Sequence, residues 1–315
     1  MTRSEVCTVF RERDSFALLT HRRPDGETIG SAAALCRALR ALGKSAFILE
    51  NEQFTPRFAP FLEGLVCKNL PENAFAVAVD IASESLLSFD AARLDLLPLL
   101  AIDHHGGNSL ACPKLVEADK AACGEIVFAL IRELDVCLDR QMAEALYVAL
   151  STDTGCFRYA NVTANTLRTA AELVEAGADI APINRLFFDT RSLSRLKLEA
   201  RLTESTQFYA DGLVGLCVLP KSWLDELGVC EDDIDSISGF ARSIEGVEIG
   251  IMIREVENGI GKLSVRTGLR YNAAEFCARL GGGGHAGAAG ASVPGGIECA
   301  KREILRVLRE SGLEL

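Results

Sequence analysis

The sequence predicts an α/β fold, with a mostly parallel, doubly wound sheet followed by a second, smaller mixed α/β domain. Three observations carry that expectation. Apolar runs of strand length alternate with helical patterns through the first half of the chain. Those runs are continuous rather than alternating, as parallel strands covered on both faces require. The chain has 315 residues, more than one core usually serves, so two domains are expected.

In order, the strands are expected at SFALLT (15–20), SAFILE (45–50), AFAVAVD (74–80) and LPLLAID (97–103), with a short KLVEA (114–118). The amphipathic pattern IGSAAALCRALRALG (29–43) lies between the first two, and further helices are expected at 122–134, 140–151 and 164–177. The charged stretch RSLSRLKLEARLTESTQF (191–208) reads as a helical connector, which places a first domain at 1–190 and a second at 209–315. In the second domain, strands at 212–220, 247–256 and 262–268 alternate with helices near 221–227, 236–245, 272–280 and 297–310.

Composition excludes several classes. The N-terminus carries charges where a signal peptide has its apolar segment, and no run of about 18 uncharged apolar residues is present, so no membrane partner is expected. The eleven cysteines contain no CxxC pair and lie mostly in apolar segments, which suits free thiols in a reducing cytoplasm better than a disulfide or cysteine–zinc site. A net charge of −11 argues against coating long duplex nucleic acid, while a few arginines and metal ions suffice for small phosphorylated ligands.

Only four histidines occur, and two stand together in AIDHHGGN (101–108), at the end of an apolar run. Ligands of open α/β sheets bind at the carboxyl ends of the strands. There the chain places His21 and Asp25 after the first strand, Asp80 after AFAVAV, and Asp103, His104 and His105 after LPLLAI; Asp153 follows a helix. Each aspartate alone has a bland use as a helix cap or turn residue, and a lone His21 is more often a satisfied core histidine. Gathered at one sheet edge, they are an inventory of imidazoles and carboxylates that suits two divalent ions and phosphoryl transfer.

HRRPDGETIGS, AVAVD, AIDHHGGN and STDTGCFRY resemble, in order, the four motifs of the DHH phosphoesterases, and GGGGHAGAAG resembles the glycine-rich signature of the DHH-associated second domain. The likeness covers nearly the whole chain and is of the bacterial nanoRNase type. It implies one ion on His21, Asp25 and Asp80, and a second on Asp80, His104, Asp153 and position 27. His105 would face the scissile phosphate, and Asp103 would orient His104. Mn²⁺ is the expected metal, with Mg²⁺ or Co²⁺ as alternatives. The implied activity is release of 5′-mononucleotides from short RNA and of phosphate from 3′-phosphoadenosine 5′-phosphate, through a metal-activated hydroxide; family members are often homodimers. Position 27 departs from the motif: the family has aspartate where this chain has Glu27, so the second ion is expected to bind with altered affinity. A cyclic di-AMP phosphodiesterase and a nucleotide sensor impaired by Glu27 are the rival readings.

Gly282, Gly284 and Gly287 satisfy G-x-G-x-x-G, but the run follows the helical pattern NAAEFCARL instead of a strand, so a dinucleotide fingerprint is rejected. Converging N–H groups of Gly282, Gly283 and Gly284, with His285, offer an anion nest, and Arg266 offers a fork for phosphate. The resemblance makes Ser264, Arg266 and His285 a nucleotide clamp, to which Arg191 is added.

Overall fold

β1 (Ser15–Leu19) is the strand from which the chain winds in both directions. It continues through β2 (Ser45–Leu49) and β3 (Val66–Cys67) on one side. It then returns through β4 (Phe75–Val79), β5 (Leu100–Asp103) and β6 (Lys114–Val116) on the other. The sheet order is β3-β2-β1-β4-β5-β6, and every pairing is parallel. The computed structural model describes residues 1–71, 73–234, 237–256 and 259–314. Its chain divides into two compact units, Met1–Thr190 and Arg191–Leu315.

The strands are apolar on both faces because both faces are covered. Leu18, Val77, Val79 and Ile102 join the larger core with the helices, while Leu19, Ala76, Ala78 and Ala101 join a smaller one with Ile81, Leu87 and Leu110. The helix Gly26–Ala41 is buried from Gly26 through Leu39, so its sequence shows weak amphipathicity and is rich in alanine. It lies tightly against the helix Arg140–Asp153. A Cβ on Gly30 would meet the Ala145 carbonyl oxygen at 2.2 Å and the Ala149 nitrogen at 2.8 Å, so only glycine permits this approach. Among the described residues, no helix is long and apolar enough to cross a membrane, and all eleven cysteines are free.

The second unit is built on β7 (Gln207–Tyr209), β8 (Val214–Leu219), β9 (Ile249–Val256), β10 (Ile260–Thr267), β11 (Gly283–His285) and β12 (Ala288–Pro294). Their order is β11-β12-β10-β9-β8-β7, with β8–β9 parallel and the other pairs antiparallel. The amphipathic helix Gly296–Glu310 covers one core with Ala300, Ile304 and Val307.

The 191–208 stretch contains the helix Leu193–Ser205, which packs inside the second unit: Leu198 and Leu202 are fully buried with Cys217, Leu219 and Met252. The helix expected at 236–245 starts outside the described residues. Over 237–243 it is instead two 3₁₀ turns, Ile237–Gly239 and Ala241–Ser243, because Gly239 and its serine neighbours favour turns over a continuous helix. β11 escaped the sequence reading, and β12 was left without bounds in the strand–helix unit expected after the glycine run: GGH and AAGASVP hold few of the β-branched and aromatic residues that mark strands.

Candidate metal centre

At β1 the strand order reverses, and this switch point opens a crevice at the carboxyl ends of β1, β4 and β5. His21 follows β1, and its backbone bridges to Leu87. Asp25 caps the helix Gly26–Ala41, its Oδ1 accepting from the N–H groups of Glu27 (3.0 Å) and Thr28 (3.1 Å). The capping use is therefore real, and the same oxygen also faces His21 Nε2. Thr28 fastens this helix start to β4 by donating to the Val79 carbonyl at 2.8 Å. Asp80, next along β4, is 4% exposed and sits in the left-handed region (φ 58°), which turns its carboxylate into the crevice.

The donors gather into overlapping clusters, His21–Asp25–Asp80, Glu27–His104–Asp153 and Asp80–Asp103–His104–His105, each with ligand atoms within 4.8 Å of one another. His21 Nε2 lies 3.5 Å from Asp25 Oδ1 and 3.7 Å from Asp80 Oδ2. His104 Nε2 lies 3.3 Å from Glu27 Oε1 and 3.9 Å from Asp153 Oδ2. Neighbouring ligands of one ion with bonds of roughly 2.1 Å stand about 3–3.5 Å apart, so the spacings suit a divalent cation with small adjustments.

Two atoms make the strongest test of fit. Asp80 Oδ1 and His104 Nε2 are buried and have no hydrogen-bond partner among the described residues. Buried polar atoms are nearly always satisfied, yet among these residues Asp80 Oδ1 has only His105 Nδ1 at 3.5 Å, and His104 Nε2 only carboxylate oxygens at 3.3 and 3.9 Å, none of them in hydrogen-bond geometry. The charge balance says the same. Burial, with the charges of Asp80, Asp153 and Asp25 around it, raises the Glu27 carboxyl well above its ordinary range. Burial likewise lifts Asp80 to about 6 and raises Asp153. Carboxyls that strain to hold protons next to open imidazole nitrogens form a seat for cations. The residues present fit divalent metal ions.

Asp103 requires a correction. The sequence reading had it orient His104, yet it is bonded to His105, whose Nδ1 and backbone N–H both donate to Asp103 Oδ1 at 2.8 and 3.0 Å. The chain leaves the strand at Asp103, and the turn that follows brings both the His105 ring and its backbone N–H onto that carboxylate. His104 Nδ1 instead meets the Lys120 carbonyl at 3.2 Å. Asp103 is fully buried. Burial would raise its pKa, but hydrogen bonds from His105 and from Asn108 Nδ2 (2.7 Å) outweigh it and hold the group ionised. The bond to the Asp103 carboxylate, then the Asp80 carboxylate 3.5 Å away, push His105 up to about 10. Asn108 was missed as a functional residue, although it closes the AIDHHGGN motif; its amide also ties Asp103 to the Ile81 carbonyl.

In the second unit, Ser264 and Arg266 alternate with Lys262 along one face of β10. They line an open concavity of about 550 Å³ with Gly281 to Gly284 and residues 288–292. Gly282 is required there, since a Cβ would lie 2.1 Å from the Gly290 carbonyl oxygen. The glycines form the wall as an extended edge strand, where the sequence had suggested a nest; pairing of Gly283 with Gly290 and Gly284 with Ala289 straightens the run. His285 lies exposed at the end of β11 and does not line the concavity. Arg266 donates to Ser238 Oγ at 3.0 Å. Arg191 is paired with Glu199 at 2.8 Å on the following helix.

This doubly wound sheet, with a histidine- and carboxylate-lined switch point, agrees with the family comparisons. Residues 15–150 match the DHH family N-terminal domain, and 216–311 match the DHHA1 domain. The chain belongs to the DHH phosphoesterase family and is a metal-dependent hydrolase. It is 35% identical to the bifunctional oligoribonuclease and PAP phosphatase NrnA of Thermus thermophilus, over 93% of this chain and 89% of that one. It is 24% identical to the Bacillus subtilis protein of the same name, over 92% and 93%. A crystal structure of an exopolyphosphatase-related protein from Bacteroides fragilis shares the fold, with a TM-score of 0.85, 23% identity, and coverage of 98% and 96%.

Proposed function

We propose that the protein is a Mn²⁺-dependent phosphoesterase that releases 5′-mononucleotides from short oligoribonucleotides and removes the 3′-phosphate of 3′-phosphoadenosine 5′-phosphate. The observation that carries this reading is the pair of unsatisfied buried atoms, Asp80 Oδ1 and His104 Nε2, within overlapping imidazole–carboxylate clusters. The names of the Thermus thermophilus and Bacillus subtilis relatives support the substrate class.

His21, Asp25 and Asp80 would hold one ion, and Glu27, His104 and Asp153, with Asp80 between the two, the other. Mixed imidazole and carboxylate donors without thiolate favour Mn²⁺. Such ions supply charge neutralisation at the phosphate and acidify water near neutral pH. The protein's own groups do the rest. His105 would keep a proton on Nδ1 for Asp103 and present Nε2–H to a phosphate oxygen, an interaction that strengthens as that oxygen gathers negative charge in the transition state. Buried Asp103 fixes the ring and keeps it charged. In the second unit, Arg266 and Ser264 take a nucleotide phosphate, the glycine wall leaving room for backbone approach.

The test is AMP release by metal-stripped protein, with and without Mn²⁺, from pApA, 3′-phosphoadenosine 5′-phosphate and cyclic di-AMP in parallel. Metal-dependent AMP from the first two is expected. Turnover of cyclic di-AMP alone would replace this reading with the cyclic one, and no turnover of any would leave a nucleotide sensor.

A further inference from the structure

The three donors Glu27, His104 and Asp153 come from distant parts of the chain, yet all are tied to one short segment, Lys120 to Cys123. The Lys120 carbonyl takes the His104 Nδ1 contact at 3.2 Å. With the proton on Nδ1, the Nε2 lone pair is left free towards Glu27 and Asp153. The Cys123 N–H, at the start of the helix Cys123–Glu133, donates to Glu27 Oε1 at 2.6 Å. The Ala121 carbonyl accepts from Asn161 Nδ2 at 3.0 Å, and that same amide nitrogen reaches the Asp153 carbonyl (3.2 Å) and Asp153 Oδ2 (3.4 Å).

The segment is itself braced. The Ala121 N–H donates to Glu125 Oε1 at 3.3 Å, and buried Glu125 is held by Thr166 Oγ1 and Asn165 Nδ2, each at 2.7 Å. Two of the three donors are fixed by main-chain groups, which truncation of a side chain does not remove. Asp153 alone depends on a side chain.

We propose that Asn161 is the positioning residue for the Glu27–His104–Asp153 site: it locks the Asp153 carboxylate to the strut that already sets Glu27 and His104. This rests on the reading of those three as ligands of one ion. Asn161 is exposed, so its truncation leaves no buried hole, and its effect should be confined to that ion. Outer hydrogen bonds to ligands are typically worth about 10- to 100-fold in metal affinity.

The experiment is calorimetric titration of Mn²⁺ into metal-stripped full-length protein, comparing wild type, Asn161→Ala, Asn161→Leu and Asp153→Asn. Leucine keeps the γ-branched shape of asparagine and deletes its donor. Two ions are expected for wild type. Asn161→Ala and Asn161→Leu should each weaken one ion by about 10-fold or more, leaving the other ion and the metal-free melting temperature unchanged. Wild-type binding of both ions in these two variants, while Asp153→Asn loses one, would overturn the role of Asn161 alone. Equal weakening of both ions with a lowered melting temperature would make Asn161 merely structural and overturn it too. Retention of both ions by Asp153→Asn would remove the ligand reading beneath it.

Discussion

His105 Nδ1 stands 2.8 Å from Asp103 Oδ1 and 3.5 Å from Asp80 Oδ1, so one imidazole joins a fully buried carboxylate to one that lies in two of the donor clusters. The pair raises His105 to about 10. A raised imidazole pKa means the interaction is complete below the ordinary value of about 6.5 and fades as pH climbs towards 10. Asp103→Asn should therefore shift the His105 titration, read by NMR on metal-free protein, down towards the ordinary imidazole range. It should also lower kcat by roughly 10²- to 10⁴-fold and bring the alkaline fall in activity to lower pH. An unmoved alkaline limb would detach His105 from the chemistry.

Glu27 gives the opposite sign. Its folded-state pKa is raised well above 4.5, so above that value the native protein holds a proton that the unfolded chain has lost. Stability of the metal-free fold then falls as pH rises from about 4.5 through the raised value. Glu27→Gln should raise the metal-free Tm at pH 8, by about 2–4 °C for each kcal/mol recovered, with little effect near pH 4. The same variant should lose most of the Tm gain that Mn²⁺ gives the wild type. Thermal melts with chelator and with Mn²⁺ at both pH values check both statements.

Arg266 lines the concavity of the second unit, and the candidate metal ligands belong to the first. Losing a charge-assisted contact of about 1.5–3 kcal/mol predicts a KM increase of roughly 10- to 100-fold for Arg266→Ala. Steady-state kinetics with pApA should show kcat nearly unchanged. A loss confined to kcat would contradict the assignment.

Gly30 allows the helix Gly26–Ala41 to touch the main chain of Arg140–Asp153. Gly30→Ala forces those helices apart, an overpacking of about 1–3 kcal/mol, and should lower Tm by roughly 2–12 °C. Mn²⁺ affinity should fall with it, because Glu27 and Asp153 ride on these two helices. A scan of melting temperature against metal concentration measures both.

Much of the first unit was legible because its sheet is buried on both faces, which writes each strand as an unbroken apolar run; β1, β4 and β5 fall inside the runs at 15–20, 74–80 and 97–103. The candidate ligands were legible because strand ends carry them beside glycines and prolines. Partners supplied by main chain left no such mark: nothing about Lys120 or Cys123 as residue types announces a carbonyl for His104 or an N–H for Glu27. The pairing of Asp103 with His105 left no mark either, because His105 lies two residues beyond the end of β5, where strand alternation no longer tells which side chains meet. The bounds of β12 were hidden by its composition, since small residues pack there against the glycines opposite rather than forming an apolar stripe.

The reversal of strand order at β1 also bears on how the chain reaches its native state. His21 and Asp25 arrive with β1, Asp80 with β4, and the two strands pair Phe16 with Phe75 across some sixty residues of intervening chain. Until that long loop closes, no complete ligand set exists for an ion to find. A cation therefore cannot act as a seed for assembly; it acts as a latch on the finished topology. Interactions absent while the sheet is still zipping slow its opening and leave its formation rate untouched. The metal's contribution to durability is thus kinetic, a longer native lifetime instead of a faster route to it.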